Sequence, residues 1–481
     1  MLRHVHCSLL LLGLFLSFQL IAADGSAQPN AAGELLEGRL SMAWGDPPPG
    51  SGLASHRVFA LTDDDGRTVE FTISEELAAA HGGFLDWNGR RVRVQFDVLR
   101  NRALNGPRPA RAVMLLEGRD GETIQGGPVG SQPWVSLLCK FADIEDEPRD
   151  LAYFEGMYAN EFGGLDDYWR KQSYGRIDIV GSIAIDWIDL PEPQSFYVPD
   201  PGNGTDSNRN QLFTDCTGAA DEIVDFSNGG TGGFSGINMM FNDLLDCCAW
   251  GGGRFTTLDG VNKLWRTTWN PPWSFRQSGI IAHEMGHGFG LPHSNNSDGD
   301  SSPYDSPWDV MSSATGNAVN DSDYGRLGKH HTAYHKDRLG WFDASEQIEV
   351  TVGESATITI DAMALPSTSN YRMARIPVPD TDDWYTVEAR KRIGYDGNLP
   401  GDAIVISYVD TSRSEPAWSV DSDDPPADFA DNEGSMFRVG ESFIDASAQI
   451  TISVDSATPD GFVVTINGPD AFFLFRDRFE D

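Results

Sequence analysis

The sequence predicts a multidomain protein: a small β-barrel-like N-terminal domain, a central α+β domain and a C-terminal all-β sandwich. Three observations lead there. The chain has 481 residues, and at roughly 100–200 residues per domain that means two to four domains. Hydrophobic residues make up 40% and aromatics 11%, enough apolar material for real cores and too much for wholesale disorder. The pattern also changes twice. Short strands fill residues 24–117, strands alternate with helices over 134–345, and strands return over 346–468. No repeat at solenoid or propeller period is present.

Residues 1–23 read as a secretory signal peptide: a basic Arg3, an apolar run from Leu9 to Ile21, and small Ala22 and Ala23 before Asp24. Secretion, or an extracellular location, is the expectation that follows. No later run of about 18 apolar residues suggests a membrane span.

In the N-terminal domain, residues 35–44, 57–61, 68–73, 90–98 and 112–117 alternate or cluster apolar side chains. Ser74 is placed to cap a short helix through Ala80. Five strands and one helix suggest an OB-like barrel, serving as a propeptide or accessory module. Residues 118–133 are rich in Gly and polar residues and read as a linker.

In the central domain, 135–141, 176–185 and 237–241 are strand candidates, and a helix is expected over 151–172. Residues 255–269 read as a hairpin turning at Asp259-Gly260. After 346, six short apolar runs with turn signals between them suggest a sandwich. Residues 469–481 form a tail.

Charge narrows the function classes. Lys and Arg total 35 against 72 Asp and Glu, a formal net charge of −37. Such a surface repels phosphate backbones and anionic membranes, so neither nucleic acid nor membrane is expected as a partner. Beyond the signal, four cysteines remain: Cys139, Cys216, Cys247 and Cys248. A bridge from Cys216 to Cys247 or Cys248 is expected across a Gly-rich loop, with Cys139 a buried thiol; the residues leave all three full pairings open.

The chemistry concentrates at residues 283–293, His-Glu-Met-Gly-His-Gly-Phe-Gly-Leu-Pro-His. This fits H-E-x-x-H-x-x-G-x-x-H at every fixed position. A chance match anywhere in the chain is on the order of 10⁻⁵, so coincidence is a poor explanation. His283 and His287 lie four apart on a helix, so their imidazoles point the same way. Ser274 and Gln277 are expected to form a capping box at its start. Gly290 can take positive φ, end the helix and return the chain so that His293 becomes a third ligand. Three protein ligands leave a fourth position for water, the arrangement of a catalytic Zn2+. Glu284 follows the first ligand and is the expected general base.

On these residues the chain resembles the metzincin metallopeptidases. Ser306-Pro307-Trp308-Asp309-Val310-Met311-Ser312 is similar to their Met-turn, with Met311 as the floor under the three imidazoles and Asp309 bracing the turn. Within the family it looks most like the gametolysin type, and Leu291-Pro292 is similar to the immune-inhibitor-A type. That type would have Asp as third ligand, and His293 favours the former. Residues 168–176 and 333–341 resemble the family's helix-to-strand junction and C-terminal helix. The resemblance implies a zincin fold over 134–345 and a secreted, monomeric zinc endopeptidase acting on proteins or peptides.

It also implies that the 255–269 hairpin takes substrate by β-addition, with Phe255 and Thr256 in contact, and that residues after Met311, including Tyr324, wall the side-chain pocket. Two departures stand out. Ser313 occupies the place of the family's extra Tyr ligand, and no cysteine lies between residues 24 and 138 to silence a zymogen.

Weaker signals are weighed against blander explanations. Asn295, Asp298, Asp300 and Asp305 suggest a Ca2+ site, but EF-hand spacing is absent and a plain acidic loop is favoured. His330, His331 and His335 are expected on a helix without a metal role. Trp265, Trp269 and Trp273 read as core. The competing function is a catalytically silent zincin-fold adhesion or glycan-binding protein, which an intact Glu284 argues against.

Overall fold

A computed structural model describes residues 34–96, 107–116, 127–229, 232–299, 302–423 and 432–469. The signal peptide, the tail from 470 and most of the linker lie outside the described residues. Strands dominate, and among the described residues there are seven short α-helices.

The N-terminal region closes into a five-stranded barrel. Its strands are β1 (Glu34–Asp46), β2 (His56–Thr62), β3 (Thr68–Thr72), β4 (Arg91–Phe96) and β5 (Arg108–Leu115). The order β2-β3-β5-β4-β1 is closed by a further β1–β2 pairing, with β3 and β5 parallel. Helix α1 (Glu75–Ala79) is capped by Ser74, whose side chain accepts from the Leu77 N–H. The barrel has its own apolar core, including Leu40, Phe59, Phe71, Val92 and Phe96.

The central region is a five-stranded mixed sheet flanked by helices. Its strands are β6 (Trp134–Lys140), β7 (Ile183–Asp189), β8 (Gly236–Phe241), β9 (Ala249–Leu258) and β10 (Val261–Asn270). The order is β7-β6-β8-β10-β9; the first four are mutually parallel and β9 runs antiparallel at the edge. β6 and β8 are buried almost throughout, as parallel strands covered on both faces must be.

The expected hairpin is present and longer than its pattern suggested. Its turn uses positive φ at Asp259 and Gly260, the conformation a two-residue loop needs. Its first strand begins at Ala249 because the Gly251–Gly253 run, a weak strand signal, is paired all the same.

The helix expected over 151–172 is broken into α2 (Leu151–Gly156) and α3 (Leu165–Gln172), interrupted at Gly163, whose φ is +102°. Helices α4 (Gln194–Tyr197), α5 (Arg209–Ala220), α6 (Ser278–Gly288) and α7 (Ala333–Arg338) complete the set. The disulfide expectation is corrected. Cys139 on β6 bonds to Cys216 on α5, and the neighbours Cys247 and Cys248 bond to each other. Cys139 faces α5 across the apolar core that both line.

The C-terminal region holds two sheets around one core. The first contains β11 (Asn295–Asn296), β12 (Gln347–Glu349), β14 (Met373–Pro377), β15 (Trp384–Arg390), β16 (Ala403–Val409) and β17 (Ala417–Ser419). The second contains β13 (Ser355–Asp361), β18 (Ser442–Asp445), β19 (Ile450–Ala457) and β20 (Gly461–Asn467). Ile376, Val387, Ile404 and Ile406 meet Ile360, Ile452, Val464 and Ile466 between them.

Two junctions matter for the site. At its C-terminal end β1 leaves the barrel and adds to β9, antiparallel, with Ala43 to Asp46 opposite Gly252 to Ala249. Barrel and central sheet thus become one ten-stranded sheet. On the other side β11, just past His293, pairs with β17 of the C-terminal region. No helix among the described residues is long and apolar enough to cross a membrane.

Candidate metal centre

Helix α6 carries the motif. Every residue from Ser278 to His287 is buried, the polar Ser278, His283, Glu284 and His287 included. Its start departs from expectation: Gln277 is the N-cap and makes no side-chain cap, while Ser274 Oγ donates to the Pro271 carbonyl. Gln277 Oε1 instead accepts from the Arg326 N–H. The end follows expectation. Gly290 has φ +89°, and the Leu291 N–H reaches back to the Gly286 carbonyl at 3.0 Å, which satisfies an orphan helix carbonyl and turns the chain toward His293.

The three histidines converge. The Nε2 atoms of His283 and His287 are 3.1 Å apart, those of His287 and His293 3.2 Å, and those of His283 and His293 3.3 Å. His283 Nδ1 donates to the Val310 carbonyl at 2.7 Å, and His287 Nδ1 to the Leu291 carbonyl at 2.8 Å. Those bonds fix a tautomer that leaves each Nε2 a lone pair aimed at the common centre. Burial pushes His287 down to about 3 and lowers His293 as well, so both rings stay neutral. At His283 burial works the same way, but the Asp46 carboxylate and the Val310 carbonyl outweigh it and raise the group.

A fourth donor, outside the motif, completes the set. Asp46, at the end of β1, places Oδ1 2.8 Å from His293 Nε2 and Oδ2 3.3 and 3.4 Å from the Nε2 atoms of His287 and His283. Ligand atoms 2.0–2.1 Å from a tetrahedral ion lie about 3.3–3.4 Å apart. The four donors therefore have the spacing of a metal centre. Three lone pairs and a carboxylate facing one another in a dry pocket would repel without a cation between them. This buried Asp/His/His/His group can hold a metal ion.

Around the donors, Tyr304 donates its hydroxyl to Asp46 Oδ1 at 2.6 Å, and its ring meets the His293 ring edge-on. Burial, with the Asp46 carboxylate next, raises the Tyr304 phenol well above its usual value, so it stays a donor. Trp44 stacks on His287 with ring centres 4.7 Å apart.

Glu284 is fully buried, and neither of its oxygens has a hydrogen-bond partner. Burial first, and the Asp46 carboxylate second, push it well above the usual carboxylate range. β9 crosses it at Gly251, where a Cβ would lie 2.4 Å from the Glu284 carbonyl oxygen and 2.8 Å from Oε2.

Met311 is buried beneath α6. Its Sδ lies 2.5 Å from where a Cβ on Gly286 would sit. Asp309 braces the turn as expected. Its Oδ2 accepts from Ser294 Oγ, Thr332 Oγ1 and His335 Nδ1, and its Oδ1 from the Met311 N–H. It does not belong to the group of donors around the three imidazoles. His331 bonds Gln172, and His330 bonds Lys336. Both precede α7 rather than lying on it, and neither joins a metal group among the described residues.

A cavity of about 630 Å³ opens beside Glu284 and His283. One wall is Trp273, Ile280 and residues 312–316; the other is Asp46 with the strap 47–54. Residues 312–316, just after Met311, line this cavity, and Trp273 faces it while Trp265 and Trp269 lie in the core.

Tyr324 does not reach the cavity. It packs on Tyr153, and its carbonyl accepts from the Ser278 N–H at the start of α6. Phe255 and Thr256 are also elsewhere, four and five residues along β9 from Gly251, with the Arg39 guanidinium over the Phe255 ring. In the proposed calcium loop, Asn295 turns to Glu415, and Asp300 lies outside the described residues. Among the described residues no set of three carboxylates converges there. No family model, no curated protein and no solved structure matches this chain.

Proposed function

We propose that the chain is a secreted zinc-dependent endopeptidase of metzincin type, hydrolysing peptide bonds of extracellular proteins. The observation that carries this reading is the pairing of three convergent Nε2 donors with a buried, partnerless Glu284 one residue after the first. A buried carboxyl without a partner is costly, and water activation gives it a use. Zinc held by His283, His287 and His293 would supply Lewis acidity and lower the pKa of a bound water to about 7.

The chain's own groups do the rest. Glu284 takes the water's proton and delivers it to the leaving amine, a role that a raised pKa suits. The edge of β9 at Ala249–Gly252 offers unpaired backbone groups to an extended peptide once β1 is absent. The pocket beside Ile280 and residues 312–316 receives a substrate side chain.

One observation favours a second reading. Asp46 makes a set of four protein donors, and closed sets are the mark of structural zinc, as in a silent adhesion protein. Glu284 has no purpose in that reading.

The test is hydrolysis of denatured casein by the intact chain and by Asp46→Ala, with and without 1,10-phenanthroline, beside Glu284→Ala in each background. Cleavage by either form is expected to vanish with the chelator and to fall about 10²–10⁴-fold with Glu284→Ala while zinc stays bound. Zinc bound stoichiometrically with no cleavage by either form overturns the reading.

A further inference from the structure

We propose that Asp46 is the fourth ligand of the metal centre, and that the N-terminal barrel holds it there as a releasable plug that keeps substrate out. This rests on reading His283, His287 and His293 as a hydrolytic metal site. Three independent features of the molecule converge on it.

The first is the donor itself. Both Asp46 oxygens face the imidazole Nε2 atoms at 2.8–3.4 Å. Oδ2 is buried and has no hydrogen-bond donor, although Oδ1 accepts from Tyr304. A buried carboxylate oxygen in that state calls for a cation. The carboxylate takes the corner that an attacking water would need.

The second is the backbone. Extended peptides are recognised by adding a strand to an exposed sheet edge. The edge beside the centre is Ala249–Gly252 of β9, and Ala43–Asp46 already fills it in antiparallel register. Gly252 permits this, since a Cβ there would lie 2.1 Å from the Met42 carbonyl oxygen. The Trp44 ring covers His287 on the same side.

The third is the strap. Pro47, Pro48 and Pro49 follow the ligand directly and lead into residues 50–54 along the outer wall of the cavity. Proline has no N–H and a fixed φ, so ladder pairing stops at Asp46 and the chain leaves the edge without entering the groove as a cleavable strand. One segment of nine residues therefore blocks the metal corner and walls the side-chain cavity, while the strand before it occupies the backbone edge.

The plug is separable in kind from what it blocks. The barrel closes on itself and has its own core. Besides β1, the ion pairs Glu70–Arg209 and Asp86–Arg338 tie it to the central domain. A tethered ligand at high effective concentration excludes a free substrate as long as the barrel stays docked. Displacing or removing the barrel opens the centre.

The experiment replaces zinc by Co2+ in the intact chain and reads its visible spectrum, with acetohydroxamate as the probe for an open coordination position. The intact chain is expected to bind Co2+ and not to respond to the probe. Asp46→Ala is expected to respond, to bind zinc at least about tenfold more weakly, and to hydrolyse casein on the order of 100-fold faster. Asp46→Cys is expected to stay closed and to add a near-ultraviolet thiolate–cobalt band, which a merely structural role would not produce. Gly45→Val, whose side chain would collide with the Trp250 ring, is expected to loosen β1 and let the probe in with Asp46 still present.

A probe response in the intact chain equal to that of Asp46→Ala overturns the proposal, as does a missing thiolate band in Asp46→Cys. An Asp46→Ala site that opens to the probe but cleaves no protein leaves the plug standing and sinks the peptidase reading. Failure of every form to bind Co2+ overturns both.

Discussion

At the scale of single residues, Tyr304 is the group whose role the geometry extends furthest. Its hydroxyl donates to Asp46 Oδ1 at 2.6 Å, so once the carboxylate has gone it points at the corner where the attacking water would meet the substrate carbonyl. A fixed donor aimed at developing negative charge is worth about 10²–10³ in kcat. Tyr304→Phe, made in the Asp46→Ala background, is expected to lower kcat by that factor with zinc content unchanged and little change in KM. A rise in KM alone would reduce Tyr304 to a wall of the pocket. The motif residues were legible in the sequence because five fixed positions within eleven carry both ligand chemistry and helix geometry. Asp46 and Tyr304 were not. They are 258 positions apart, neither belongs to a motif, and only the added strand brings them together. The Asp46-Pro47-Pro48-Pro49 step, an acidic strand end followed by three residues that cannot pair, was the available signal. A search confined to cysteine passes over it. Tyr324, Phe255 and Thr256 were expected from the family resemblance, and the structure places them away from the cavity, on Tyr153 and farther along β9.

At the scale of elements, α6 and β9 show two different uses of glycine, and one experiment separates them. Gly290 sits at φ +89° with nothing within 4 Å of an added Cβ. Gly290→Ala therefore meets only backbone strain, about 1–2 kcal/mol, and zinc binding should survive. Gly251 faces open conformational space but no room, since its Cβ would strike the Glu284 backbone and carboxylate. Gly251→Ala is expected to shift β9 against α6 and to abolish casein hydrolysis even where the urea midpoint falls no further than for Gly290→Ala. Equal losses of activity in the two variants would show that β9 does not position Glu284. Elements with strong local pattern were legible: the five barrel strands, β6, β8 and the Ser74 cap all match their sequence signals. The 151–172 helix was misread because its apolar period runs on through Gly163 and Gly164 while the backbone does not. The Ser274 cap was misread because its hydroxyl turns back to Pro271, leaving Gln277 to begin the helix. Cys247 and Cys248 pair with each other, one of the three pairings that the residues left open, and only the packing of Cys139 against α5 selects it.

At the scale of the molecule, the metal centre is held between two neighbours, and the C-terminal sheets do more than follow it in sequence. Arg390, on β15, is fully buried and joins both sides. Its guanidinium bonds Glu388 at 3.0 Å and Asp396 at 2.9 and 3.0 Å, and donates to the carbonyls of Trp308 and His330. Trp308 directly precedes Asp309, which braces the floor under the imidazoles. Its Nε1 donates to Ser435 at 2.9 Å, and β11, two residues past His293, is a strand of the C-terminal sheet. The β-rich texture of residues 346–468 was legible, but this dependence was not, because a strand of two residues and an arginine among many leave no pattern. Burial alone would lower the Arg390 group, and Asp396 and Glu388 outweigh it, so the cation is fixed at any pH the chain tolerates. Removing one partner of such a buried set strands the others and costs about 3–5 kcal/mol. Arg390→Met is therefore expected to lower stability by that amount in urea denaturation of the zinc-loaded chain. Because the lost bond lies under the Met311 turn, zinc affinity is expected to fall with it. The central and C-terminal regions should unfold together in a single transition. Two separate transitions, with zinc affinity unchanged in the variant, would show that the C-terminal sheets are an appendage and that the floor of the metal centre stands without them.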